Sequence, residues 1–123
     1  MTRLFLAAGA LSAFLAVAAG AFGAHALKQK LSPDALGIFE TGARYQMYHA
    51  LALLCVAWAI ERFPDSGTLS AAGICFVVGT ILFTGSLYLL AWTGVKWLGA
   101  VTPLGGVAFL VGWACLAVGA WRG

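Results

Sequence analysis

The chain has 123 residues, 63% of them hydrophobic and 9% charged, with a formal net charge of +3. Soluble domains average about 45–50% apolar and about 25% charged residues, and a chain this short has the most surface to cover for its volume. So few charges exclude a water-soluble domain, and the seven scattered Lys and Arg present no nucleic-acid face; this is one domain whose solvent is lipid.

The first span is expected at about 4–24, a stretch from Leu4 to Ala24 without a charge. A signal peptide is the rival reading, with Arg3 ahead of the apolar run and Ala16-Val17-Ala18 resembling a cleavage site. The run is longer than the usual signal core of about 7–15 residues, so the segment is expected to be retained. Ser12, Ala16, Gly20 and Ala24 recur every four residues. Such a small-residue stripe lets helix backbones approach closely in lipid.

After Lys28-Gln29-Lys30-Leu31, the sequence Ser32-Pro33-Asp34 supplies a cap, a first-turn proline and an acid at the positive helix end. The second helix is therefore predicted from near Pro33 to Phe63. Its membrane span is placed at about 45–62, and the mixed stretch from Asp34 to Ala43 is expected to lie near the interface. Pro64-Asp65-Ser66-Gly67 is a short turn. The third span is predicted at about 69–92, and Trp92 and Trp97 flank the next connection as an interfacial belt. The fourth is predicted at about 101–121, with a second small stripe of Ala108, Gly112, Cys115 and Gly119, extended by Gly105. Cys55, Cys75 and Cys115 lie in apolar stretches, are odd in number and form no C-x-x-C, so they are read as small apolar residues. The fold class is all-α: an integral membrane four-helix bundle with an interfacial extension at the start of the second helix.

With four spans, the first and third connections share one side of the membrane, and the polar residues concentrate there. The ligand-binding candidates are His25, Glu40, Arg44, Tyr45, Tyr48, His49 and Tyr88. Glu40 and Arg44 are one turn apart and can pair, or Arg44 can meet an anion or lipid headgroup. His49 follows Arg44 by about one turn, which suggests a shallow position. It either fastens a neighbouring helix or accepts a proton or ligand. At 3.6 residues per turn His49 lies nearly opposite Glu40, so these residues form a broad wall addressing at least two neighbours.

Two histidines without a spaced third ligand give no metal site, and no cofactor or catalytic residue is assigned. Ser86, His49 and Glu40 hold the atoms of a triad without the spacing of one, so an enzyme ranks last. No span carries an Asp or Glu at its middle, which argues against proton-coupled transport. The leading expectation is a small-molecule or lipid-headgroup binding module; the alternative is a non-catalytic accessory subunit of a larger membrane complex. The expected partners are the lipid bilayer, a second copy or a membrane-protein partner, and a small-molecule or lipid ligand, with no nucleic acid. Arg3, Arg62 and Arg122 nearly balance Lys28, Lys30 and Lys96, and the cluster at Lys28 and Lys30 tips the first and third connections toward the cytoplasm.

Four signatures carry a resemblance. They are Gly20-Ala-Phe-Gly-Ala-His25-Ala-Leu-Lys28, Phe39-Glu-Thr-Gly-Ala-Arg-Tyr-Gln-Met-Tyr-His49-Ala, Phe83-Thr-Gly-Ser-Leu-Tyr88 and Thr102-Pro-Leu-Gly-Gly106. Together they resemble the YgdD-like bacterial inner-membrane proteins, a family with small transmembrane relatives in animals. The Arg-Tyr-Gln-x-x-His element is the most specific part, and the match covers nearly the whole chain. The resemblance implies a multi-pass inner-membrane protein and supplies no activity.

Overall fold

The computed structural model describes residues 1–123 as four long helices without strands. They are α1 (Thr2–His25), α2 (Pro33–Arg62), α3 (Gly67–Thr93) and α4 (Leu98–Arg122). A short 3₁₀ turn, Leu27–Gln29, links α1 to α2. The ends follow local chemistry. The Ser32 hydroxyl accepts from the Ala35 amide at 3.1 Å, with Pro33 at the first helical position and Asp34 in the first turn. Ser66 caps α3 in the same way at Leu69. Gly94 ends α3 at φ +69°, a left-handed conformation that glycine adopts without a Cβ clash. Within α3, Thr80–Thr84 form a single π-helical turn, and the Thr80 hydroxyl is buried without a partner.

Three helices, α1, α3 and α4, are long and apolar enough to cross a membrane. α2 is the exception because its apolar stretch, residues 50–60, lies between Arg44, Tyr45, Gln46, Tyr48 and His49 on one side and Glu61 and Arg62 on the other. It runs unbroken from Pro33, with no boundary at Tyr45. It is also the most buried helix, and it touches all the others. Large apolar residues face outward elsewhere: Phe14 on α1, Ile81 on α3 and Leu110 on α4 are each about two-thirds exposed or more. An apolar exterior around a more polar central helix is the pattern expected of lipid as solvent.

α1 lies along α2, and α3 along α4. The α3–α4 seam rests on a seven-residue repeat in each helix. Leu69 and Phe76 project from α3 onto Gly119 and Gly112 of α4, and the backbone at Phe83 lies against Gly105. A methyl group at Gly112 would stand 2.7 Å from the Phe76 ring, and one at Gly119 would stand 2.7 Å from Leu69. At Gly105 it would collide with the Phe83 backbone itself. Seven residues make nearly two turns, so Leu69 and Phe76 share one face of α3, and Gly105, Gly112 and Gly119 share one face of α4. Where lipid removes the hydrophobic drive to associate, this fit supplies the van der Waals contact that holds helices together.

α1 is seated by the same means at other positions. Phe5 fills the space over Gly73, and Gly9 backs onto the Ala50 carbonyl. Of the expected stripe, Ala16 is buried and Ser12 half-buried, while Gly20 and Ala24 are exposed, with nothing within 4 Å of a Cβ at Gly20. A strict four-residue spacing drifts about 40° per step around a helix. The buried residues Phe5, Gly9, Ala16 and Gly23 follow the straighter four-and-three rhythm instead.

Candidate functional site

Gln46 fixes the level of α2 against α1. Its side-chain nitrogen donates to the Ser12 carbonyl at 3.2 Å, and Ser12 lies near the midpoint of α1. The side-chain oxygen of Gln46 accepts from the Tyr88 hydroxyl at 2.7 Å. One amide therefore joins α1, α2 and α3. The Thr84 hydroxyl donates to the Gly42 carbonyl at 3.4 Å, and Ser86 and Thr102 share a hydrogen bond of 2.6 Å between α3 and α4.

His49 follows by about one turn along α2 and is buried among the helices, only 4% exposed. The ring lies flat on Phe109, with centroids 3.5 Å apart and planes 4° apart. Nδ1 stands 2.7 Å from the Tyr45 carbonyl, and Nε2 stands 3.1 Å from the Trp113 indole nitrogen. A carbonyl only accepts and an indole N–H only donates, so the network assigns the proton to Nδ1 and the free lone pair to Nε2. Both ring nitrogens are thereby engaged in the neutral form, and the contact ties α2 to α4.

The seven candidate residues do not converge on one site. His25 is exposed at the end of α1. Glu40 and Arg44, both exposed, edge a groove of about 370 Å³ between α1 and α2. Tyr88 turns inward to Gln46 and stacks at 4.7 Å on Phe39. Tyr45, Tyr48 and His49 line a cleft of about 620 Å³ between α2 and α4, closed by Phe83, Pro103, Gly106, Val107, Phe109, Leu110 and Trp113. Tyr45 is 39% and Tyr48 51% exposed, and unlike Tyr88 neither phenol makes a hydrogen bond within the chain. The cleft lining contains no Asp, Glu, Lys or Arg.

Gln46, Trp113 and the cleft wall on α4 were outside the sequence-derived set. Two of them left a signal. Gln46 precedes His49 by three residues on one helix face, and Trp113 lies far from either end of its span, where an indole N–H needs an acceptor. Pro103 and Gly106 stood in the fourth signature without being assigned to a site, and no signal marked Val107.

Residues 19–106 match a family described as "Protein of unknown function (DUF423)". The chain is 45% identical over 118 residues to the UPF0382 membrane protein YwdK of Bacillus subtilis, covering 96% of each chain. It is 44% identical over 120 residues to the UPF0382 membrane protein SSP2132 of Staphylococcus saprophyticus, covering 98% of each. It is 43% identical over 121 residues to the UPF0382 inner membrane protein YgdD of Escherichia coli K12, covering 98% of this chain and 92% of that one. No solved structure matches the chain. The relatives' names, the membrane-capable helices and the outward-facing apolar residues agree with the location expected from the signatures, a multi-pass protein of the inner membrane. With the family match spanning most of the chain and the relatives nearly all of it, the protein belongs to the DUF423 family of UPF0382 membrane proteins.

Proposed function

We propose that the protein is a four-span bundle, with α2 as its central span, that binds an uncharged, lipid-soluble small molecule in the cleft between α2 and α4. The observation that carries this reading is the pair of unengaged phenols, Tyr45 and Tyr48, on an aromatic cleft of about 620 Å³. Ligand sites commonly measure about 300–1,000 Å³ and combine apolar walls with a few polar groups. A phenol O–H facing hydrocarbon lacks the partner that water would provide, and a ligand carbonyl or ether oxygen supplies one. The absence of charge in the lining selects against ions. Hydrocarbon belonging to the same ligand would run along Val107 and Leu110. His49 forms a wall of the cleft rather than a reacting group, since both of its nitrogens are taken.

The alternative, an accessory subunit of a larger membrane complex, draws support from the same polar contacts. The Gln46 and His49 bonds fasten helices without requiring any ligand. The two readings separate when the protein is extracted from native membranes in mild detergent and its organic extract and protein partners are analysed by mass spectrometry. A co-purifying uncharged molecule is expected, reduced about tenfold in Tyr45→Phe/Tyr48→Phe, the effect of losing two hydrogen bonds of about 0.5–1.5 kcal/mol each. The melting temperature of the double variant should match the wild type. A stoichiometric protein partner indifferent to both substitutions, with no retained molecule, would establish the accessory role instead.

A further inference from the structure

We infer that a second site lies on another flank of α2, where Glu40 and Arg44 take the headgroup of a zwitterionic aminophospholipid. At about 100° per residue, these two side chains point on average about 110° around the helix from the centre of the Tyr45, Tyr48 and His49 arc, and the groove and the cleft share no lining residue, so the two sites are separate. The groove beneath them is lined by Ala16 and Gly20 of α1 and by Ala43 and Met47 of α2. Gly20 keeps it open, with nothing within 4 Å of where a Cβ would stand.

The groove is graded along the membrane normal. Gly20 and Ala16 lie five and nine residues short of the end of α1 at His25. At about 1.5 Å per residue, that is about 8–14 Å below the helix end. Side chains on a helix lean toward its N-terminus, and α2 begins on the side where α1 ends. Arg44 and Glu40 therefore reach back toward the interface, as long charged side chains in membranes do. Met47 and Ala16 remain below them in the hydrocarbon. Charge above and a small-residue trough below match the polarity gradient of one phospholipid.

The charges also specify the headgroup. Arg44 offers a planar fork of N–H donors suited to phosphate. Glu40, one turn nearer the interface, repels a lipid with net negative charge and accepts from an ammonium. A primary ammonium has N–H groups to donate, whereas a quaternary ammonium has none. The site is therefore matched to phosphatidylethanolamine, above phosphatidylcholine and phosphatidylglycerol.

The test titrates each of these three lipids into the delipidated protein in detergent, with bound lipid counted by native mass spectrometry. Phosphatidylethanolamine should bind about tenfold more tightly than the other two, the scale of one charge-assisted hydrogen bond. Glu40→Gln should bring phosphatidylethanolamine down to the phosphatidylcholine level, and Arg44→Gln should weaken all three. Both residues are exposed, so the variants should keep the wild-type melting temperature. Equal binding of the three lipids, or a preference that survives Glu40→Gln, would overturn the assignment. So would a disulfide-linked dimer of Gly20→Cys in native membranes, which would place a second copy of the chain in the groove.

Discussion

Gly105→Ala is expected to destabilise the protein by about 2 kcal/mol, whereas Gly20→Ala should leave it unchanged or slightly more stable. Both glycines are helical, and alanine is favoured over glycine in a helix by about 1 kcal/mol. At Gly20 the new methyl meets open space. At Gly105 it meets the backbone of Phe83, which cannot move without shifting the whole of α3. Overpacking costs about 1–3 kcal/mol, and a backbone obstacle sits at the upper end of that range, so the clash outweighs the gain. Unfolding both variants in detergent–SDS mixtures beside the wild type provides the comparison. Equal stabilities would mean that Phe83 does not seat on Gly105.

Trp113→Phe and His49→Phe should each cost about 1–3 kcal/mol, and the double variant clearly less than their sum. Each single substitution strands one partner of the interhelical bond, His49 in the buried interior or the Trp113 N–H on a side chain 45% exposed on the apolar exterior. Replacing both leaves no orphaned group across that bond, and a phenyl ring keeps the stack on Phe109. Interhelical hydrogen bonds in membranes average about 0.6 kcal/mol with a maximum near 1.7, and the enclosure of His49 points to the upper part of that range. The same unfolding assay on the four proteins yields the coupling. Strict additivity would show that the two side chains do not meet.

The helices were legible in the sequence because their ends are local events. Ser32-Pro33-Asp34 starts α2, and Gly94 ends α3, whatever the rest of the chain does. The packing was only half legible. Small residues on α1 and α4 announced close approach. Which of them are contacted depends on aromatic partners in other helices, such as Phe5 over Gly73 or Phe76 over Gly112, and no single-helix pattern contains that information. The aligned repeats at 69, 76, 83 and 105, 112, 119 were present in the sequence but acquire meaning only as a pair. The candidate residues were chosen by type and by proximity along α2. Periodicity already separated Glu40 from His49, and the structure assigns them to different grooves. The cleft wall on α4 was not recognisable as one: Pro103 and Gly106 stood in a signature, but they and Val107 have no chemistry until α2 faces them.

The π-helical turn at Thr80–Thr84 works as a phase shift. It holds one residue more than an α-helical turn, so the last stretch of α3 leaves it about 100° behind the direction an uninterrupted helix would take. Phe76 lies ahead of the turn, on the side that meets Gly112. Ser86 and Tyr88 lie beyond it, and their bonds to Thr102 and Gln46 rely on the added rotation. Deleting any one residue between 80 and 84 would restore an even α-helical ladder and leave Phe76 in place. It would also swing Ser86 and Tyr88 away from their partners and unlatch that end of α3 from both neighbours. Substitutions within the turn leave this rotation intact, so the quantity these five residues hold constant is their number.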